Sequence, residues 1–335
     1  MSSDKPQGQE GFAAVRVTHE ATGASIVVHP QGATLMSWMP APAPENPTPH
    51  PSAPGTEVLL DSGKTVRVGG TGDVLFVSKD TRLQSDKAIR GGVPIAFPQF
   101  AGEGSLPNHG FARTSQWTVA EKADGKIVLT LAHSAQTQAV WNRCFKLEMC
   151  IEFDDAACHS TLSITNTSDS CDDSGSAPAP MEPQALLHTY YRVQSIDAVA
   201  VEHLEGLTYE DKVQDFAKSE LKDKRWGIKG ETDCIFHNAA PDGKKKITLD
   251  SGSGMWRHIT FWAELCEKQG GDASAVNVPC DVVVWNPWIE KAKAMGDFGD
   301  DEYQHMICVE PGCVRSKPTI PPGATLKLHQ IIALE

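Results

Sequence analysis

The sequence predicts an all-β protein, a sandwich or a barrel. Short segments of alternating or β-branched character recur between turn signals, long helical periodicity cannot be placed, and Phe145 to Phe153 alternates apolar and polar residues without a break. In chain order, strands are expected at 13–17, 25–28, 58–60, 126–131, 145–153, 160–165, 199–201, 246–249, 282–285, 306–309 and 326–333. The 145–153 segment has the pattern of a strand with one wet face. Pro241-Asp242-Gly243 ahead of Lys244-Lys245-Lys246 reads as a solvated hairpin turn rather than a recognition patch. Short helical turns are expected around 140–143 and 211–221. Residues 40–56, 168–184 and 267–278 are rich in Pro, Gly and small polar residues, lack apolar periodicity, and are expected to be surface loop insertions. Residues 1–12 are expected to be flexible. No shift of composition divides the chain, so residues 1–335 are expected to form a single domain.

The charge balance narrows the partners. A formal charge of −13 argues against nucleic acid, which needs broad positive surface, whereas a phosphate on a small ligand needs only a few local cations. No apolar stretch approaches the roughly 20 residues that span a bilayer, and the polar N-terminus carries no apolar signal core, so no membrane partner and a cytoplasmic location are expected. The 9 cysteines are odd in number and scattered, without a CxxC pair or a His-Cys cluster at ligand spacing; they are expected to be mostly reduced thiols, with no metal centre. Asn166-Thr167-Ser168 is a glycosylation signal only in a secreted chain.

Chemistry-bearing residues gather in a few rigid contexts. Ile89-Arg90-Gly91-Gly92-Val93-Pro94, Phe97-Pro98-Gln99-Phe100 and Leu106-Pro107-Asn108-His109-Gly110-Phe111-Ala112-Arg113 are dense in glycine and proline, which make tight loops that approach a ligand closely. Arg90 and Arg113 within them are candidate ligands for phosphate or carboxylate oxygens, or else caps for loop carbonyls. His109 either orients a ligand hydroxyl or braces its loop. His188 opens an aromatic, strand-like run and can exchange protons near neutral pH; an isolated strand histidine is otherwise a core residue. Glu310 closes the apolar run Met306-Ile307-Cys308-Val309 just before Pro311-Gly312, where burial would raise its pKa and make it a better base; the alternative is a cap for the turn. Trp285 and Trp288 serve as a sugar-stacking surface or as core filler.

Taken in order, Arg90-Gly91-Gly92-Val93-Pro94, Leu106 to Arg113, His188-Thr189-Tyr190, Glu231-Thr232-Asp233, and Val284 to Lys291 leading into Ile307-Cys308-Val309-Glu310-Pro311-Gly312 resemble the glucose-6-phosphate 1-epimerases of the aldose 1-epimerase-like superfamily. The resemblance runs from about residue 26 to the C-terminus. It implies a β-supersandwich of large, mostly antiparallel sheets, and an isomerase that interconverts the α and β anomers of glucose 6-phosphate and related hexose 6-phosphates without a cofactor. It also implies His188 as general acid, Glu310 as general base, and Arg90, Asn108, Arg113 and Asp233 at substrate-binding positions. Members often carry Gln at the position of Asn108, Phe at Tyr191 and His at Cys313. The expected partner is the sugar phosphate alone, and the expected state a monomer. Alternatives are a mutarotase of unphosphorylated aldoses, a non-catalytic sugar-phosphate sensor, and a glycoside hydrolase using Asp233 and Glu310 as its carboxyl pair.

Overall fold

A computed structural model describes residues 13–40, 54–84, 86–170, 178–252, 256–269 and 272–335; the expected flexible N-terminus and most of the 40–56 stretch lie outside the described residues. Antiparallel strands dominate. One sheet has 10 strands and another 8, with a 3-stranded and a 2-stranded sheet beside them. Every expected strand is present, and the expected β-supersandwich describes the arrangement.

The alternation of Phe145–Phe153 translates directly into burial. Phe145, Leu147, Met149, Ile151 and Phe153 are buried, while Lys146 and Glu152 face outward. This strand pairs with Ala157–Asn166, which pairs with Thr325–Leu334, and that in turn with Trp256–Gln269, a strand of 14 residues. Together they form the middle of the 10-stranded sheet, whose apolar face packs on the 8-stranded sheet in one shared core. The Asp154 turn joining the first pair is fixed by its carboxylate, which accepts from the amides of Ala157 (2.8 Å) and Ala156 (2.7 Å). Those bonds, the Ala157 amide foremost, lower its pKa.

The 8-stranded sheet carries the site. Its central strands, Cys280–Asn286 and Met306–Cys313, are buried at every position. Both faces are covered, so they read as continuous apolar runs rather than alternating ones. One face meets the shared core through Val282, Val284, Ile307 and Val309. The opposite face holds two smaller apolar clusters: Phe76, Tyr190, Trp285 and Cys308 with their neighbours, and Phe100, Ile235 and Val283 with theirs. Strand Thr232–Ala240 flanks Cys280–Asn286 on the far side.

Residues 185–193 divide between the two sides. Strands Ala185–Leu187 and Tyr190–Arg192 both pair with Met306–Cys313. Thr189 and Tyr191 turn to the core: the Thr189 hydroxyl donates to Gln330 Oε1 (2.8 Å), and Gln330 Nε2 donates to the Tyr191 hydroxyl (2.7 Å). This buried network ties the segment to the opposite sheet and satisfies the extra hydroxyl of Tyr191.

Several expectations are corrected. Residues 267–278 are not a structureless insertion: Trp256–Gln269 and Asp272–Val278 pair as a hairpin. The turn placed at 140–143 is the helix Ala135–Val140, started by a Ser134–Thr137 capping box. The turn placed at 211–221 is a short 3-10 helix, Lys212–Gln214, followed by strand Ala217–Glu220. The expectation of mostly reduced cysteines holds among the described residues, where 7 are free thiols, with Cys144 as the disulfide-bonded exception. The sequon is unusable in the folded chain, because Asn166 is buried and its amide donates to the carbonyls of Ala179 and Ile320, each at 2.9 Å.

Glycines set the loops around the site. Gly110 has φ +70°, and a Cβ there would lie 2.1 Å from the Phe97 carbonyl oxygen. Gly92 has φ +67°, and a Cβ would lie 2.2 Å from the Leu35 carbonyl oxygen. Both the backbone conformation and the space therefore exclude a side chain. Gly110→Ala is expected to cost about 2–4 kcal/mol, read as a lower denaturant midpoint in urea unfolding.

Candidate active site

Strand register assembles the site on the outer face of the 8-stranded sheet. Tyr190 pairs with Cys308, Cys308 with Trp285, and Trp285 with Asp233, so these four side chains form one row. Glu310 pairs with Val283 in the next row. His188 stands two residues before Tyr190 and stacks on its ring, with centroids 4.8 Å apart and planes at 12°. A cavity of about 260 Å³ opens above them. Its floor is Val283, Trp285, His188, Glu310 and Asp233; its sides are Arg90, the 100–109 loop, Lys212 and Lys291.

The two proton-transfer candidates meet at its base. His188 Nδ1 and Glu310 Oε1 lie 3.4 Å apart. They are not aligned for a hydrogen bond, and Nδ1 and both carboxyl oxygens of Glu310 are buried without a partner. Each such atom costs about 1–3 kcal/mol, so this is a place prepared for a ligand rather than for stability. Glu310 is 1 % exposed and His188 8 %. Burial pushes the Glu310 carboxyl well above its ordinary range, Asp233 adds to the shift and Lys212 opposes it. Burial, then Arg113 and Arg90, push His188 well below its ordinary value. Burial thus disfavours the charged form of both groups, the carboxylate of Glu310 and the imidazolium of His188.

His109 is held by its loop and also lines the cavity. Its backbone has φ +62°, and its Nδ1 accepts from the Ala101 amide (3.3 Å). Burial, then His188 and Arg113, push its pKa well below the ordinary value. A neutral ring accepting at Nδ1 carries its hydrogen on Nε2, making it a donor there. His109 thus braces its loop and also lines the cavity.

The cations differ in what they already bind. Arg90 is gripped by Asp297, at 3.1 and 3.3 Å, and donates to the Tyr190 hydroxyl at 3.2 Å. Lys212 pairs with Asp233 at 2.8 Å and Lys291 with Glu231 at 2.9 Å. Arg113 has no ion pair with any described carboxylate. Its Nη2 donates to the Asn108 carbonyl (2.7 Å), and its Nε is buried without a partner. Burial, then Arg90, bring its pKa down to about 10. A buried guanidinium so placed is the one an incoming anion would relieve most.

All seven candidate residues read from the sequence gather here, with Arg113 behind Asn108 rather than on the cavity wall. Trp285 lines the cavity, whereas Trp288 packs on Tyr303 and the core. Lys212 and Asp297 escaped the sequence reading, and Lys291 lay at the end of the Val284 to Lys291 block without a role being read for it. Their roles come from long-range pairing. Gln184, in the stretch before His188, braces the site. It accepts from the Phe100 amide (2.9 Å) and donates to the Val314 carbonyl (2.8 Å).

A sugar-sized cavity on a β-supersandwich, with an adjoining carboxyl and imidazole and with hydroxyl-binding groups around them, defines a carbohydrate-directed acid–base enzyme. The family model described as aldose 1-epimerase matches residues 65–333. The chain belongs to the aldose 1-epimerase family, a family of isomerases. A protein of Cenchrus ciliaris named "Putative glucose-6-phosphate 1-epimerase" is 32% identical over 262 residues, covering 75% of this chain and 72% of that protein. A protein of Escherichia coli K12 with the same name is 29% identical over 300 residues, covering 88% and 81%. The fold is shared with a crystal structure from Salmonella typhimurium described as a "putative mutarotase", with TM-score 0.66 and 24% identity over 93% of this chain and 87% of that one.

The two shifts give opposite pH signatures. A carboxyl whose pKa rises on folding contributes stability at low pH that is lost as pH climbs from about 4.5 through the folded value. His188, lowered on folding, contributes stability above about 6.5 that is lost as pH falls. Glu310→Gln is therefore expected to raise the Tm by about 2 °C or more near pH 8, with the gain shrinking towards pH 4.5, in thermal unfolding followed by circular dichroism.

Proposed function

We propose that this protein interconverts the α and β anomers of hexose 6-phosphates, glucose 6-phosphate foremost. The observation that carries the reading is a buried imidazole–carboxyl pair with a nearby arginine, Arg113, whose charge acts on His188 and whose Nε has no partner. Glu310 takes the proton of the C1 hydroxyl while His188 protonates the ring oxygen; the C1–O5 bond breaks and the aldehyde forms. Rotation about C1–C2 and reclosure on the other face return both protons. General acid and base groups of this kind each contribute about 10²–10⁴-fold.

Ring opening needs Glu310 as carboxylate and His188 as imidazolium, the charged forms that burial disfavours. Arg113, Arg90 and Lys212 are among the causes that keep His188 neutral. A phosphate dianion beside them cancels that field and favours the proton on His188, so the phosphate would help arm the pair as well as anchor the sugar. Asp233, Asn108 and the Nε2–H of His109 would take sugar hydroxyls, and Trp285 the apolar face of the ring. The names of the Cenchrus ciliaris and Escherichia coli relatives support the phosphorylated substrate. The cavity is built from one chain, which suits a monomer, and phosphorylated sugars are cytoplasmic metabolites.

The test is anomer exchange at equilibrium, by NMR magnetisation transfer between α and β signals of glucose 6-phosphate and of glucose. Acceleration of the phosphorylated sugar alone is expected. Equal acceleration of both would indicate an aldose mutarotase, and none a sensor. Arg113→Leu should raise KM for glucose 6-phosphate about 10–100-fold, the equivalent of one charged hydrogen bond, and lower kcat as well.

A further inference from the structure

We propose that His188, Cys308 and Glu310 form a binding site for a zinc-class divalent cation, which closes the catalytic pair to sugar when occupied. The donor atoms, an imidazole nitrogen, a thiol sulfur and a carboxyl oxygen, all lie within 4.8 Å of one another. Cys308 and Glu310 alternate onto the same face of their strand, and the pairing of Tyr190 with Cys308 brings His188 over both.

Tetrahedral zinc, with bonds of about 2.0–2.3 Å, holds its donors roughly 3.3–3.8 Å apart. His188 Nδ1 and Glu310 Oε1 already meet that span at 3.4 Å, and side-chain rotation of about 1 Å closes the rest. Nδ1 and both Glu310 oxygens have no hydrogen bond to give up.

Donor chemistry selects the ion. Sulfur with nitrogen and one carboxylate suits zinc or cobalt and disfavours magnesium and calcium, which demand oxygen shells. On binding, the Cys308 S–H and Glu310 O–H bonds break, both protons pass to solvent, and S–metal and O–metal bonds form; the metal stays divalent and no electron moves. The two anions match the ion's charge. Of the nearby cations, Arg90, Lys212 and Lys291 are already paired with carboxylates, which limits their repulsion, whereas Arg113 has no such partner and opposes the ion.

The inhibitory consequence rests on the proposed acid–base roles of His188 and Glu310, whereas binding itself does not. The full chain is titrated with Co²⁺ while the near-ultraviolet thiolate-to-cobalt charge-transfer band is followed, then with Zn²⁺ to displace it. Parent protein should show the band, and Cys308→Ser should lose it together with at least ~100-fold in affinity, beyond the 10–100-fold typical of lost second-shell support. Without metal, Cys308→Ser should keep its anomer exchange and resist Zn²⁺, whereas Zn²⁺ should silence the parent competitively with glucose 6-phosphate. Should Cys308→Ser fail to fold, Glu310→Gln replaces it: the band should persist with at least ~10-fold weaker binding. No band in the parent, or an undiminished band in Cys308→Ser, overturns the site. A normal band with no exchange activity to inhibit would leave the metal site standing and refute the functional reading.

Discussion

A carboxyl and an imidazole, Glu310 and His188, buried side by side at the base of the cavity, are the constraint around which the site is organised. Two titratable groups are buried at the base of a cavity with three of their polar atoms unpartnered. Such an arrangement is costly, and only the surrounding sheet makes it tolerable. The central strands are apolar on both faces and cannot be pried apart by the polar groups they carry. The network from Thr189 through Gln330 to Tyr191 fixes the other side of the segment that presents His188. Rigid support for a poised pair is what proton transfer in both directions requires, since each group must serve as donor and acceptor in turn.

Ion pairing around the cavity then decides where unbalanced charge remains. Arg90, Lys212 and Lys291 each have a carboxylate, so their charges are locally answered. Arg113 has only the Asn108 carbonyl. In a chain of formal charge −13 it is a local positive point. After burial, Arg113 and then Arg90 contribute to the lowered pKa of His188.

Much of this was legible in the sequence, for identifiable reasons. Alternation in 145–153 and the apolar runs before Glu310 are local patterns, and local patterns report strands well. The Gly-Pro loops around Arg90 and Arg113 signalled close backbone approach, which Gly92 and Gly110 bear out through their positive φ and lack of room. The 267–278 stretch misled because a hairpin with small polar residues resembles a loop when its apolar partner strand is unseen. Lys212 was invisible for a different reason: it reaches the site from a short 3-10 turn between the edge strands Thr208–Asp211 and Ala217–Glu220, and its meaning exists only through Asp233, distant in sequence. Charge pairing of this kind is a property of the folded surface, not of any window of residues.

Under the proposed reaction, binding of an anionic sugar favours the proton on His188. Nitrogen-15 NMR of the histidine rings, with the His188 signals assigned by their loss in His188→Asn, tests it directly at neutral pH. Neutral imidazole shifts in the free protein, moving towards imidazolium on saturation with glucose 6-phosphate but not with glucose, are the predicted result. A His188 ring already protonated in the free protein, or one that stays neutral in the saturated complex, would contradict it.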